Sequence, residues 1–335
     1  MQLLRKLLFP ISLVYALVVY IRNFLYDTRV FKSERFNTIT VCIGNLSVGG
    51  TGKTPMTELI IGILKDTYKL AVLSRGYKRK SKGFVLAEDD STVEEMGDEP
   101  FQISSKFAEV AVAVDADRRN GIRELEKQIQ PEVILLDDAY QHRKVLPDFS
   151  ILLTAYGHLY TDDWYLPTGD LRDSKHASKR ANLIVVTKCP SDITQQEQEK
   201  IVKKIRPKKD QQVLFTYLAY DRDLHHGSTI LGVDTLKGKK VTLVTGIANP
   251  APLVAYLNKK GLVLDHLSFG DHHFFSESEI DQLKTKDIII TTEKDYVRLS
   301  DKLDNLYYLS VKHVFLNDGG KILEERLFGL MSGVS

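Results

Sequence analysis

The sequence predicts an α/β protein: a doubly wound, mostly parallel sheet, a smaller C-terminal α/β unit, and a membrane-associated helix at the N-terminus. Three observations carry this reading. From residue 37 onward, apolar runs of strand length alternate with helical stretches. Most of these runs are continuous rather than alternating, the pattern of strands buried on both faces of a parallel sheet. A glycine-rich loop joins the first run to a helix, where an anion-binding turn has to sit.

The chain opens MQLLRKLLFPISLVYALVVYIRNFLYDTRVFKSERF. Residues 7–21 are apolar apart from Ser12 and are interrupted only by Pro10. This run of about 15 residues is shorter than the roughly 20 that a spanning helix needs. No small-residue cleavage site follows it, which argues against a signal peptide. A buried core helix and a helix lying in the bilayer interface both fit the apolar run. The cations around it (Arg5, Lys6, Arg22, Arg29, Lys32 and Arg35) favour the second, because they would meet anionic headgroups. On that reading residues 1–36 rest on an anionic membrane surface and leave the body in the cytoplasm.

The expected strands are TITVCIG (38–44), KLAVLS (69–74), VAVAVD (110–115), EVILLDD (132–138), DFSILLTA (148–155) and ANLIVVT (181–187). Helical stretches such as KTPMTELIIGILKD and DRRNGIRELEKQI fall between them, which gives the doubly wound order. A core over 37–220 and a smaller unit over 221–335 are expected, with the boundary somewhere in 205–240. The second block holds KVTLVTGI, PAPLVAYLNKKG, DIIITTEKD and NLYYLSVKHVFL. The basic run KKIRPKKDQQ before it reads as a solvated helix end. The 335 residues, 43% hydrophobic, suffice for two cores. A net charge of +2 supplies no basic field for nucleic acid. Cys42 and Cys189 lie in or beside apolar runs and read as buried, reduced thiols. Nothing in the chain demands a dimer, so a monomer is expected.

SVGGTGKTP, Ser47 to Pro55, is the loop after the first strand. It matches G-x-x-x-x-G-K-[ST] except that Ser47 replaces the first glycine. Gly49, Gly50 and Gly52 let the backbone wrap an anion with its N–H groups, and the helix start adds its positive dipole end. Lys53 can reach β- and γ-phosphates, and the Thr54 hydroxyl can hold Mg²⁺. Pro55 is tolerated because a first-turn residue needs no N–H. The nucleotide-binding set is therefore Val48, Gly49, Gly50, Thr51, Gly52, Lys53, Thr54 and Pro55, in the manner of a P-loop NTPase.

Such a loop needs acids at a nearby strand end. EVILLDDAYQH supplies Asp137 and Asp138, two adjacent carboxylates that are costly unless a cation neutralises them. Asp98 and Glu99 precede Pro100 at a probable helix start, where they read alone as caps. Asp271, His272 and His273 stand between aromatics in SFGDHHFF, without the further ligands a zinc site would need. Arg172 lies in the loop LPTGDLRD, and the basic loop SRGYKRKSKG begins with Ser74 and Arg75.

Taken in order, GNLSVGGTGKTP, LSRGYKRK, GDEP, LLDDAYQHR, LPTGDLRD, TGIANP and GDHHFF resemble the tetraacyldisaccharide 4′-kinase family, from the N-terminal helix to TTEKDYVR near residue 298. Ala139 and Tyr140 stand where that family commonly has glycine and phenylalanine. The resemblance implies transfer of the ATP γ-phosphate to the 4′-hydroxyl of a tetraacylated glucosamine disaccharide 1-phosphate, giving lipid IVA. It implies a P-loop core, a smaller C-terminal domain, and a helix on the cytoplasmic face of the bacterial inner membrane. It assigns phosphate binding to Lys53 and magnesium binding to Thr54. It also implies that Asp98 is the catalytic base, that His272 is the histidine paired with it, and that Glu99, Asp137 and Asp138 are acids for Mg²⁺ and nucleotide. Arg75, Gln141, His142 and Arg172 are the candidate substrate contacts.

The rival reading is a membrane-recruited ATPase or GTPase switch without a lipid acceptor. VVTKCPSD is a near miss for the guanine-reading N-K-x-D, with Thr187 for the asparagine and Pro190 at the aspartate. The dimeric partitioning ATPases carry a lysine where this loop has Val48. Both departures disfavour the switch.

Overall fold

The structure is a computed structural model. It describes residues 2–271 and 273–333, with side chains from residue 5 onward. Two helices open the chain, α1 (Gln2–Leu7) and α2 (Phe9–Asp27). The core then runs β1 (Ile39–Asn45), α3 (Lys53–Leu64), β2 (Leu70–Ser74), β3 (Val85–Leu86), α4 (Val93–Met96), α5 (Asp98–Lys106), β4 (Ala111–Val114), α6 (Arg118–Gln128), β5 (Val133–Asp137), β6 (Phe149–Ala155), β7 (Leu183–Thr187) and α7 (Gln195–Ile205). The second part runs β8 (Gln212–His226), β9 (Thr229–Gly232), β10 (Lys240–Thr245), α8 (Ala251–Lys259), β11 (Val263–Ser268), α9 (Glu277–Lys284), β12 (Ile289–Thr292), α10 (Glu293–Leu299), β13 (Leu306–Phe315) and α11 (Gly319–Met331).

Among the described residues the strands form one sheet in the order β11-β10-β12-β13-β8-β7-β6-β1-β5-β2-β4-β3, with β9 beside β8. Every expected core strand is present, and all neighbours from β7 to β4 are parallel. Long β8 joins the two halves. Its first residues pair parallel with β7, and from Thr216 onward it pairs antiparallel with β13.

Alternate residues of each core strand feed opposite faces, as strand geometry requires. Cys42, Leu73, Ile134 and Ile184 pack with Ile122 and Leu125 of α6. Val41, Ile43, Val72 and Leu135 pack with Met56, Ile60, Ile61 and Leu64 of α3. The spacing of those four α3 residues makes one helical stripe. Leu323 and Leu327 of α11 fill the same face, so the C-terminal helix returns to the first core. The later strands hold two separate clusters, one with α8 and one with α9 and α10. Both cysteines are free and buried. Tyr140 is buried too, and its hydroxyl donates to the Ala177 carbonyl at 2.8 Å, so the polar atom that phenylalanine would lack is satisfied.

Helix α2 is inside-out relative to an ordinary surface helix. Its buried residues are Ser12, Val19 and Asn23, while Val14, Leu17, Val18 and Ile21 face outward. The polar residues dock it. Ser12 donates to Thr168 Oγ1 at 2.7 Å, and Asn23 donates to buried Asp173 at 2.8 Å. Helix α2 is 19 residues long and apolar enough by length and composition to cross a membrane. It exceeds the apolar run because residues 22–27 continue the helix along the protein body.

Candidate active site

The loop between β1 and α3 is fastened on three sides. Val48 N–H donates to the Asp170 carbonyl at 2.7 Å. Thr187, at the end of β7, donates from its hydroxyl to the Thr51 carbonyl at 2.8 Å. His313 of β13 bonds the Gly52 carbonyl through Nε2 at 2.9 Å and Thr216 Oγ1 through Nδ1 at 2.9 Å. Gly52 has φ +84, and a Cβ there would lie 2.8 Å from the His313 ring, so glycine is required both for conformation and for space. Ser47 needs no glycine. Its hydroxyl donates to Asp163 Oδ2 at 2.8 Å and ties the loop to the segment that holds α2. Gly52 caps α3 without a side-chain bond, which leaves the N–H groups of Lys53 and Thr54 at the helix start oriented for an anion, while Pro55 has none to satisfy. Val48, Gly49, Gly50 and Thr51 complete the turn.

At the end of β5, Asp137 is 1% exposed. Thr57 of α3 and Ser74 of β2 donate to its two oxygens at 3.3 and 3.2 Å. Burial first, and then the facing carboxylates Glu99 and Asp138, push its carboxyl up to about 7, against Lys53 and Arg118. Asp138 adopts φ +45. Burial raises its carboxyl, but Lys53 and Arg172 outweigh that and hold it below the usual range. Lys53 Nζ stands 3.8 Å from Asp138 Oδ1. Arg172 grips Asp138 with both terminal nitrogens, one at 3.1 Å, and also donates to Asn45 Oδ1 at 2.5 Å. Among the described residues no three His, Cys, Asp or Glu side chains form a ready-made metal cluster. Mg²⁺ does not need one, because it usually takes one or two carboxylates plus phosphate oxygens. The facing carboxylates Glu99 and Asp138, which add to the rise that burial causes at Asp137, fit such an ion.

These groups open onto a cleft of about 490 Å³. Its lining includes Asp137, Asp138 and Arg172, Asp98 and Glu99 at the start of α5, and Tyr15 and Arg22 of α2. Arg75, Gln141 and His142 also line it. Gln141 donates to the Asn45 carbonyl at 2.5 Å. Burial, with Arg118 nearby, pushes His142 down to about 4, so the ring is neutral. Arg118 Nε, His142 Nε2 and Arg172 Nε are buried without a hydrogen-bond partner, and such orphaned groups are costly unless a ligand or water engages them.

Asp98 opens α5 behind Gly97, whose φ of +86 disfavours a side chain and where a Cβ would come 2.9 Å from the Tyr77 carbonyl. The carboxylates of Asp98 and Glu99 complement the helix start. His272 lies outside the described residues. Neighbouring His273 turns its ring to Glu279 at 3.1 Å and stacks on Phe269. The loops after β10, β11 and β12 come together because all three strands are parallel and end on one side of the sheet.

Sequence reasoning missed two arginines here. Arg118 follows the end of β4, is 2% exposed and donates to the Asp115 and Asp137 carbonyls. Its place after a parallel strand was the available signal. Arg298, on α10, pairs with Asp98 across 200 residues of chain and leaves no local signal.

Comparison with known proteins follows this geometry. The family model described as tetraacyldisaccharide-1-P 4′-kinase matches residues 4–328. A tetraacyldisaccharide 4′-kinase of Flavobacterium johnsoniae is 49% identical over 323 residues, covering 95% of this chain and 94% of that protein. One from Phocaeicola vulgatus is 41% identical, over 97% of this chain and 94% of its own. A crystal structure of the "apo" form of LpxK from Aquifex aeolicus in complex with ATP superposes with a TM-score of 0.79 at 29% identity, over 98% of this chain and 99% of that one. The match runs over nearly the full length of this chain and of these relatives, and the chain belongs to the tetraacyldisaccharide-1-P 4′-kinase family.

Proposed function

We propose that the cleft moves the γ-phosphate of ATP to the 4′-hydroxyl of a tetraacylated glucosamine disaccharide 1-phosphate, as a step of lipid A biosynthesis. The observation that carries this is the composition of the cleft. One cavity is lined by the acids at the end of β5, by the Asp98 carboxylate and by Tyr15 and Arg22 of α2, the helix whose apolar side chains face outward beside it. A water-soluble acceptor would gain nothing from the exposed apolar face of α2, whereas an acylated sugar can lay its chains along that face while its headgroup enters the cleft.

In this reading the loop Val48 to Pro55 wraps the phosphates, with Lys53 and backbone N–H groups between Gly49 and Thr54 holding them and neutralising charge on the transferring group. Thr54, Glu99, Asp137 and Asp138 would hold Mg²⁺, which when bound supplies further charge neutralisation across the phosphates. A sugar hydroxyl is a poor nucleophile at neutral pH. Asp98 accepts its proton as it attacks in line, and His272 orients that carboxylate. Arg75, Gln141, His142 and Arg172 contact the disaccharide, its 1-phosphate or the nucleotide. Residues 37–220 form the kinase core and 221–335 the smaller unit, joined through β8. The protein works as a monomer on the cytoplasmic face of the inner membrane, with α2 against anionic lipid.

A hydrolytic switch without an acceptor is the alternative, and family membership disfavours it. The two differ in where label goes. With γ-labelled ATP, Mg²⁺ and the tetraacyldisaccharide 1-phosphate in detergent, the kinase puts label into lipid. Lys53→Ala lowers kcat/KM by about 100-fold or more. Label released only as inorganic phosphate would favour the switch.

A further inference from the structure

We infer that Arg298 is a positioning residue for the transfer, fixing the carboxylate of Asp98 toward the acceptor hydroxyl. The inference rests on the reading of Asp98 as the proton acceptor. Arg298 Nε donates to Asp98 Oδ1 at 2.6 Å and Nη2 donates to Oδ2 at 2.7 Å. This is the parallel fork that locks the plane of a carboxylate, and an ammonium cannot reproduce it. Both side chains are buried, at 7% and 4% exposure. The remaining nitrogen, Nη1, donates to the His273 carbonyl, and the Phe274 ring lies 4.4 Å from the guanidinium carbon. The guanidinium is therefore held by a carboxylate, a backbone carbonyl and an aromatic face. One side chain sets the geometry of the base and of the loop at His273 and Phe274.

An ion pair that served only to join α5 to α10 could sit anywhere along their contact, and one already does. At the other end of α5, Lys106 bridges Glu58 at 2.6 Å and Glu293 at 2.7 Å. The second pair falls instead on a carboxylate that lines the cleft. A neighbouring cation weakens a carboxylate as a base, so for proton transfer alone it is a cost. It is a gain where orientation matters more. In phosphoryl transfer the transition state is loose, and the protein contributes chiefly by positioning and charge. Each carboxylate oxygen can accept two hydrogen bonds, so the fork does not exhaust the capacity of Asp98 for the acceptor hydroxyl.

The test is steady-state transfer of label to the tetraacyldisaccharide 1-phosphate by the full chain. Wild type would be compared with Arg298→Ala, Arg298→Lys, Asp98→Asn and the Asp98→Asn/Arg298→Ala pair, with ADP affinity measured by calorimetry on each. Arg298→Ala should lose about 100-fold in kcat, the cost of a misplaced catalytic group. KM for ATP and ADP affinity should hold within about two-fold, since Arg298 bonds α5 and the loop after β11 rather than residues 48–55. Arg298→Lys should fall between, and it keeps the test intact if the alanine variant does not fold. The double variant should be no slower than Asp98→Asn. Wild-type kcat in Arg298→Ala, losses that multiply in the double variant, or an equal fall in ADP affinity would each overturn the inference. Wild-type kcat in Asp98→Asn, with a slow Arg298→Ala, would instead sink the base reading and show that Arg298 acts elsewhere.

Discussion

Asp138 has a left-handed backbone and is held by two cations, Lys53 and Arg172. A non-glycine residue adopts that conformation at a cost, and here the cost aims one carboxylate back at the lysine of the phosphate loop. His313 supports the same loop from behind. Burial pushes its ring down to about 4, from an ordinary value near 6.5. The neutral ring fits its role, because Nε2–H donates to a carbonyl while Nδ1 accepts from Thr216. The sign for stability follows. The unfolded chain takes up a proton near pH 6.5 that the folded ring refuses, so stability present above 6.5 is lost as pH falls toward 4, by up to about 3 kcal/mol. Thermal midpoints measured across that window should flatten in His313→Gln relative to wild type, and parallel curves would contradict the assignment. Lys53, Thr54, Asp137 and Asp138 were legible because strand, loop and helix are local patterns with fixed chemistry. Arg298 and His313 were not, because their partners lie 200 and 261 residues away in the chain.

At the scale of elements, α2 and the segment 163–173 act together. The sequence LRD places Arg172 on Asp138 and Asp173 on Asn23 of α2, so a single turn of chain links the site to the apolar helix. Composition alone made the apolar run visible and left a buried core helix open. The direction the helix faces excludes a buried core helix, and only packing against residues 163–173 reveals it. Replacing outward-facing Val14, Leu17 and Ile21 with serine should lower partition onto anionic vesicles by at least about 10-fold, since each side chain forfeits its apolar transfer energy. The thermal midpoint of the free protein should hardly change, because these residues are already exposed in it. Equal sedimentation with vesicles before and after the change would contradict a lipid-facing role.

For the whole molecule, the doubly wound core was readable from periodicity, and its strands match the expected runs within a residue or two. The joint was harder to read. The sheet does not break between the two halves. Strand β8 serves both, and α11 closes back onto the first core from the far end of the chain. Continuity of this kind is invisible to local pattern, because a strand that changes partners midway has no composition of its own. Its consequence is functional. The second half brings α10 and the loop after β11 against α5, so that Asp98 sits where the two halves meet. The central claim is that this carboxylate, which lines the cleft together with Asp137 and Asp138, takes the proton of the acceptor hydroxyl. The most direct measurement is single-turnover transfer of γ-label from ATP to the tetraacyldisaccharide 1-phosphate by Asp98→Asn, with ADP binding measured on the same sample. A rate lower by about 100-fold or more, with ADP bound as in wild type, is the predicted result. Transfer at the wild-type rate would contradict it.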